Sequence, residues 1–376
     1  MKVAEPPVEV QELHHGSHNA LLTDESLDGA APVELDAIIV PTAWPTAALR
    51  HVFTVGRDID TTVVALCSKQ ATARQACDLA DELGTRALAV DVDRSLAAVL
   101  PSFSTDRLLR KGGLCTTSDL SIKRNLGLTL ARGSSWERVL FLDDDILIDE
   151  PDRLRLAAGL LDRYRAVGLR NHGFDDNSVV CHALRAVGGD QGTFIGGGGM
   201  MVNAAETSSF FPNIYNEDWF FLLGDGVPFR AARAGAMRQR PYDPFANPGR
   251  AAGEELGDTL AEGLFWLLDF GLDPEDTPDG FWGEAVFRRR QFIEYVLGHA
   301  PARLWPSLVA ARGRSAIVTH RLCSDFVHAW RADLRKWQDF LGWVPVSSNP
   351  DKFLWEVGMQ SKVLRSQAYL EHVLAH

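Results

Sequence analysis

The stretch VLFLDDDI, residues 139–146, decides the fold prediction because four apolar residues run directly into three aspartates. A short apolar run of this kind is typical of a strand buried in a sheet. In open α/β sheets ligands bind at the carboxyl ends of the strands, and Asp143, Asp144 and Asp145 fall at such an end. Three adjacent carboxylates repel one another and resist burial, so we expect a cation beside them.

The sequence on the N-terminal side repeats the pattern of a buried strand followed by a helix. Apolar runs rich in β-branched residues occupy 36–42, 61–69 and 85–93, and helical sequences occupy 71–84 and 118–133. Strands that are apolar on both faces are typical of a parallel sheet covered by helices. The sequence therefore predicts an α/β fold with a mostly parallel sheet flanked by helices.

Composition divides the chain into three parts. Residues 1–34 are rich in Pro, Glu, His and Asp and show little periodicity, which predicts a flexible N-terminal arm with His14 and His15 in solvent. Residues 35–250 hold the alternation of strands and helices. Residues 251–376 are mostly helical in pattern and rich in Trp and Arg, so we predict a helical C-terminal region.

The three aspartates suit a divalent cation. Residues i and i+2 of a strand point to the same face, so Asp143 and Asp145 are predicted to converge while Asp144 points away. Paired carboxylates are ligands for manganese or magnesium ions, which usually also hold substrate phosphates. A solvated acidic turn is the alternative. A P-loop ATPase is excluded because the chain contains no Gly-Lys dipeptide.

Bulk properties restrict the partners and the compartment. The formal net charge of −12 argues against general nucleic-acid binding. The five cysteines form no CxxC pair, so neither a disulfide framework nor a zinc knuckle is expected, and a cytoplasmic location fits best. No run approaches the roughly 18 apolar residues of a transmembrane segment.

Five motifs carry a resemblance to a known family. AIIVPTAWP (37–45), SIKRNLGLTLAR (121–132), VLFLDDDI (139–146), FIGGGGMMV (194–202) and NEDWFFL (216–222) follow one another in this order. Together they resemble nucleotide-sugar glycosyltransferases of the GT-A type, the family-2 group in particular, over about half of the chain. The resemblance implies a GT-A, Rossmann-like sheet and a metal-dependent, hexosyltransferase-type transfer from a nucleoside-diphosphate sugar to an acceptor hydroxyl, inverting by single displacement.

The resemblance also implies residue roles. Asp218 is the expected general base, with Glu217 beside it, and the metal ligands are Asp143, Asp145 and His320. The residues expected to contact the nucleotide and the donor sugar are Pro41, Thr42, Ser68, Asp91, Lys123, Arg124, Asn125, Asp143, Asp144, Gly197 and Gly198. The acceptor stays open, and we expect the C-terminal region to complete its site.

Each of these assignments has a structural alternative. Asn216 is also a candidate N-cap, with Glu217 and Asp218 merely favouring the helix dipole. The glycines also suit a bulge, and Lys123 and Arg124 also suit a solvated helix face. At the level of function, the alternatives are a retaining glycosyltransferase of the same fold, a sugar-1-phosphate nucleotidyltransferase, or a non-catalytic nucleotide-sugar-binding protein.

The C-terminal part adds three further expectations. Glu254, Glu255 and Asp258 are predicted to form the acidic first turn of a helix, which the helix dipole favours; the alternative is that Glu255 and Asp258 share a helix face near the acceptor. The run AIVTH, residues 316–320, is predicted to be a strand that ends at His320. The amphipathic sequence 326–344 is predicted to pack on the core or on a partner subunit, so a homodimer is possible.

Overall fold

The computed structural model describes residues 13–16, 21–175, 177–192, 195–224, 231–272, 274, 277–347 and 349–375. Within them the strands are β1 (Thr23–Asp24), β2 (Ala37–Thr42), β3 (Thr62–Cys67), β4 (Ala87–Asp91), β5 (Arg138–Leu142), β6 (Ile146–Leu147), β7 (Ala166–Asn171), β8 (Gly199–Asn203), β9 (Ala231–Gln239) and β10 (Val363–Arg365). The helices that precede β9 are α1 (Arg50–Asp58), α2 (Ala73–Leu83), α3 (Arg94–Ala97), α4 (Ser104–Lys111), α5 (Leu120–Gly133), α6 (Arg153–Gly159), α7 (Val179–Ala186) and α8 (Glu217–Leu223). The C-terminal helices are α9 (Pro248–Asp269), α10 (Phe281–His299), α11 (Trp305–Ser315), α12 (His320–Trp343), α13 (Pro350–Glu356) and α14 (Gln367–Ala375).

The described strands form one mixed sheet in the order β1-β9-β7-β8-β5-β2-β3-β4-β10, with β6 beside β9. The block β5-β2-β3-β4 is parallel, and β8 lies antiparallel between β5 and β7. The chain runs outward from β2 through β3 to β4 and then returns to the other side of β2 as β5. The strand order therefore reverses between β2 and β5, which is where α/β sheets bind ligands. The predicted α/β fold with a mostly parallel sheet is confirmed.

The sheet is buried on both faces because its strand residues alternate between two apolar cores. Ala37 and Ile39 belong to one core, and Ile38 and Val40 belong to the other. Successive side chains of a strand point to opposite faces, so a continuous apolar run fills both layers. This is the physical reason for the unbroken hydrophobic runs in the sequence.

The C-terminal region adds to the same body. β10 pairs antiparallel with β4 and extends the sheet, and the Asp333 carboxylate of α12 accepts hydrogen bonds from the backbone N–H groups of Ser104 and Thr105 at the start of α4. The predicted boundary between residues 250 and 251 falls inside α9. The predicted strand over residues 316–320 is wrong, since these residues connect α11 to α12 and His320 is the first residue of α12.

The described residues of the segment that was predicted to be a flexible arm contact the rest of the chain. β1 pairs parallel with β9, and His14 and His15 are buried. His14 stacks on Phe292 with ring centroids 4.2 Å apart. The prediction that these two histidines lie in solvent is wrong, because aromatic and acidic side chains of the helical region surround them. Among the described helices, none combines the length and the apolarity needed to cross a membrane.

Candidate active site

A cavity of about 550 Å³ lies at the carboxyl end of β5, beside the reversal of strand order. One wall carries Arg124 from α5, Asp143 after β5, and Glu217 and Asp218 from α8. The wall formed by the C-terminal region carries acidic residues of α9, with His14 from the N-terminal segment. The cavity therefore joins the sheet to the helical region, and both parts contribute charged side chains.

Arg124 is the central cation of the first wall. Its Nη1 donates to Glu217 Oε1 at 2.5 Å, and its Nη2 lies 3.1 Å from both oxygens of Asp143. Burial alone lowers the pKa of Arg124, but the charges of Asp143, Glu217 and Asp218 outweigh burial and raise it. Arg124 is thus a permanent cation, and it supplies part of the positive charge that the three aspartates require.

The three aspartates do not continue the strand. β5 ends at Leu142, and the Ile146 N–H donates to the Asp143 carbonyl at 3.2 Å, which closes a turn. The alternation of a strand does not apply in a turn, so Asp143 and Asp145 do not both line the cavity. Asp144 is buried and accepts from Thr42 Oγ1 at 2.5 Å.

The predicted metal ligands do not assemble into a site. Asp143 lines the cavity, but both of its oxygens face Arg124. Asp145 lies off the cavity wall and accepts from Gln239 Nε2 at 2.6 Å. His320 is exposed at the start of α12 and does not line the cavity. One carboxylate that is already paired with a guanidinium does not form the paired-carboxylate site predicted for a divalent cation.

The four consecutive glycines at 196–199 allow the charged groups of the first wall to approach one another. A Cβ atom at Gly197 would lie 2.3 Å from Arg124 Cζ, and one at Gly196 would lie 2.9 Å from Asp218 Oδ2. A Cβ atom at Gly198 would lie 3.1 Å from Asp143 Oδ2. These positions need glycine because the side chains of the site occupy the space that a Cβ would fill.

Asp218 is held by the backbone. The Gly197 N–H donates to its Oδ2 at 2.8 Å, and the Trp219 N–H donates to its Oδ1 at 2.9 Å. Burial raises the pKa of Asp218 and also that of Glu217, the latter to about 8. The positive charge of Arg124 opposes both shifts. Asn216 does not cap α8 through its side chain, because its Nδ2 donates to Asp258 Oδ1 at 2.9 Å.

Lys123 belongs to a second polar cluster away from the cavity. Its Nζ donates to the Thr42 carbonyl and to Ser68 Oγ, each at 2.7 Å, and lies 3.1 Å from Asp119 Oδ1. Burial lowers the pKa of Lys123, and the Asp119 carboxylate opposes that shift. Lys123, Thr42 and Ser68 do not line the cavity. This cluster joins α5 to the carboxyl ends of β2 and β3.

The remaining predicted nucleotide contacts have structural partners. Asn125 exchanges two hydrogen bonds with the backbone of Phe211, at 2.8 and 2.9 Å. Asp91 Oδ1 accepts from the Ala73 N–H at the start of α2, and Pro41 is buried in β2. Of the predicted nucleotide and sugar contacts, those on the cavity wall are Arg124, Asp143 and Gly198.

The wall formed by α9 lies on a helix whose start differs from the prediction. The helix begins at Pro248, so Glu254 and Asp258 lie in its second and third turns, and the prediction of an acidic first turn is wrong. With Glu262 they line the cavity at a spacing of four residues, which places them on one helix face. That spacing was visible in the sequence, and the misplaced helix start concealed it.

Two arginines, the buried Arg289 and the half-buried Arg250, pair with the α9 acids. Arg289 donates to both oxygens of Glu255 at 2.9 Å and to Glu262 Oε1 at 2.9 Å, and it also contacts Asp258. Arg250 pairs with Glu254 at 2.7 Å. The acids are thus parts of a fixed network rather than a solvated acidic face.

A comparison of the chain with models of known protein families found no match. A search of curated protein sequences found no match either. The resemblance to GT-A glycosyltransferases therefore remains a prediction, and the function has to be argued from the site.

Proposed function

We propose that the protein is a glycosyltransferase of the GT-A type that moves a sugar from a nucleoside-diphosphate sugar to an acceptor hydroxyl with inversion. The observation that carries the proposal is that Asp218 and Arg124 line the same cavity, beside the reversal of strand order. Transfer by single displacement needs a base for the acceptor and a cation for the departing diphosphate. The first wall of the cavity provides one residue for each role.

Asp218 is the proposed general base. Two backbone N–H groups fix its carboxylate, and burial raises its pKa towards the operating range of a base near neutral pH. It accepts the proton of the acceptor hydroxyl while the hydroxyl oxygen attacks the anomeric carbon. The bond between that carbon and the diphosphate oxygen breaks, and its electron pair leaves with the diphosphate. Glu217 holds Arg124 in place through the 2.5 Å contact.

Arg124 is the proposed cation for the leaving diphosphate. A guanidinium stabilises phosphate charge well, and the Arg124 Nε–H has no acceptor among the described residues. Arg314 also lines the cavity, and it pairs with no acid in the described part of the chain. The proposal assigns no role to the predicted metal, because Asp145 and His320 lie off the cavity wall.

The test is a panel of nucleoside-diphosphate sugars with simple acceptors, assayed by release of the nucleoside diphosphate. We expect D218N to lower the transfer rate by about 10²- to 10⁴-fold, the usual contribution of general base catalysis, while nucleotide binding is retained. Asp78→Asn, on the exposed surface of α2, is the matched control and should keep the wild-type rate. Full activity of D218N would exclude the base assignment.

The product also separates the alternatives. Nuclear magnetic resonance of the first-formed glycoside gives its anomeric configuration. An inverted configuration supports the single displacement, and a retained configuration assigns the retaining mechanism of the same fold. Nucleotide binding without any transfer favours the non-catalytic binding protein.

A further inference from the structure

A second reactive arrangement lies on the same cavity, on the wall formed by the C-terminal region. It combines His14 from the N-terminal segment, Cys181 from α7 and Glu262 from α9, all buried. Cys181 Sγ lies 3.8 Å from His14 Nε2, and Glu262 Oε1 lies 3.1 Å from His14 Nδ1. All three residues line the cavity. The imidazole thus lies between a thiol and a carboxylate, which is the order of a nucleophile, its base and the group that orients the base.

Gln191 determines the protonation of His14. The Gln191 Nε2 group donates to the carbonyls of Gly16 and Gly192, so its Oε1 faces His14 Nε2 at 2.5 Å. An amide oxygen only accepts, so His14 Nε2 carries a proton. His14 Nδ1 faces the Glu262 carboxylate, which would repel the lone pair of an unprotonated nitrogen. Both nitrogens are therefore protonated, and His14 is an imidazolium.

Glu262 keeps its charge in this arrangement. Burial alone raises the pKa of Glu262, but the positive charges of His14 and Arg289 outweigh burial and lower it. Burial likewise lowers the pKa of His14, while Glu262 and Cys181 raise it well above its ordinary value. The aromatic ring of Phe292 stacks on the imidazole and fixes its plane.

The geometry favours a nucleophile over a metal site. Each of the three residues offers one ligand atom within 4.8 Å of the other two, but the contacts of Cys181 and Glu262 are with different nitrogens of His14, and a single ion binds a histidine through one ring nitrogen. In addition, Arg289 Nη1 donates to the same Glu262 oxygen at 2.9 Å. A carboxylate oxygen that a guanidinium holds in place is well suited to orient an imidazolium.

We propose that Cys181 is a nucleophile, activated by the His14 imidazolium beside it, whose thiolate form attacks an electrophilic carbon of a ligand bound in the cavity. A lone pair of the sulfur forms the new S–C bond, and the leaving group departs with the electron pair of the broken bond. His14 stabilises the thiolate before the attack, and Glu262 holds His14 in position. The inference stands independently of the glycosyl transfer.

The other cysteines provide internal controls. Burial raises the pKa of Cys67 and Cys323 to about 12 and that of Cys77 to about 11, so these three remain thiols at neutral pH. Cys115 is exposed and also lines the cavity. Reaction at Cys115 therefore measures how an accessible thiol without an imidazolium partner behaves in the same molecule.

The experiment is limited alkylation of the full chain with iodoacetamide at about pH 6, with peptide mass spectrometry to assign each site. An ordinary thiol with a pKa of about 8.5 is roughly 0.3% thiolate at that pH, and a neighbouring imidazolium increases the thiolate fraction. The lower intrinsic nucleophilicity of such a thiolate offsets part of this gain. We expect Cys181 to react about tenfold faster than Cys115. A slower reaction of Cys181 than of Cys115 in the wild-type protein overturns the proposal.

Two variants separate the activation of Cys181 by His14 from the accessibility of the Cys181 thiol. H14F keeps a ring against Phe292 but removes the charge, and we expect it to slow the alkylation of Cys181 about tenfold without changing Cys115. His182→Phe, next to Cys181 on α7, is the matched control, because burial lowers the pKa of His182 to about 4 and leaves it neutral. An unchanged Cys181 rate in H14F, or an equal loss in both variants, contradicts the role of His14.

If H14F does not fold, E262Q replaces it, with a smaller decrease expected, and an unchanged Cys181 rate in E262Q then overturns the role of Glu262. A zinc assay of the purified protein completes the test. Stoichiometric zinc, with labelling of Cys181 only after a chelator is added, would show that the thiol holds a metal and would overturn the proposal.

Discussion

Lys123 and Arg124 are consecutive residues of α5 and both are buried cations, yet they contact different parts of the molecule. Lys123 contacts the Thr42 carbonyl and Ser68, at the ends of β2 and β3. Arg124 contacts Asp143 and Glu217 on the cavity wall. Successive side chains of a helix point about 100° apart, so neighbours in the sequence reach different elements. A basic motif on a helix is therefore not automatically one binding site.

The surroundings of the two cations also differ in their access to water. The Asp119 side chain that pairs with Lys123 is 26% exposed. Of the two side chains that pair with Arg124, Glu217 is 10% exposed and Asp143 is 28% exposed. Loss of Lys123 leaves one carboxylate that water reaches, whereas loss of Arg124 leaves two carboxylates without their cation, one of them largely buried.

The largest expected effect comes from removing each cation in turn. R124M leaves Asp143 and Glu217 without their cation, and we expect it to lower the free energy of unfolding by about 3–5 kcal/mol. K123M leaves polar groups that water partly reaches, and we expect a loss of about 1–3 kcal/mol. Urea unfolding followed by circular dichroism measures both. Equal losses would mean that the two cations serve equivalent structural roles.

A smaller effect is expected from crowding Arg124 without removing its charge. A Cβ atom at Gly197 would lie 2.3 Å from Arg124 Cζ, so G197A should shift the guanidinium and destabilise the fold by about 1–3 kcal/mol. Gly298 of α10 has nothing within 4 Å of the same position, so G298A should stabilise slightly, by about 0.5–1 kcal/mol. Thermal unfolding of the two variants gives the comparison, and a neutral G197A would contradict the packing described.

The smallest expected effect is a dependence of stability on pH. Burial raises the pKa of Glu217 to about 8 and those of Glu254 and Glu255 to about 7. The folded protein therefore holds these protons more tightly than the unfolded chain, whose glutamates titrate near 4.3. Their contribution is full below that value and is lost as the pH rises through 7 to 8. The raised pKa of His14 acts in the same direction above about 6.5.

We therefore expect the free energy of unfolding to fall as the pH rises from about 5.5 to about 8. Urea unfolding at several pH values measures the slope. E254Q removes one of the titrating groups and should flatten it. A stability that is constant or rises over this interval would contradict the assignment of protons to the buried carboxyls.

The sequence predicted the sheet well because apolar runs and helical periods are local signals. The strands predicted around residues 36–42, 61–69 and 85–93 and the helix predicted within 71–84 are confirmed. The positions of side chains around the site depend on longer-range contacts. The turn after Leu142 directs the aspartates to three different partners, and no periodicity in the sequence reports that turn.

The wall formed by the C-terminal region was less predictable for the same reason. His14 is buried only because Phe292 and Glu262, far away in the sequence, form its environment. Polar composition alone indicated a solvated segment. The glycine run was visible in the sequence, but its cause is the close approach of Arg124, Asp143 and Asp218, which only the folded chain shows.

Calorimetric titration of UDP, GDP, ADP, TDP and CDP tests the central claim most directly. Wild type, R124M and K123M are compared, each with and without manganese. We expect one nucleotide to bind the wild type without added metal, R124M to weaken this binding at least about tenfold, and K123M to leave it unchanged. Binding that requires manganese and survives in R124M would contradict the role of Arg124. No binding of any nucleotide would contradict the proposed glycosyl transfer itself.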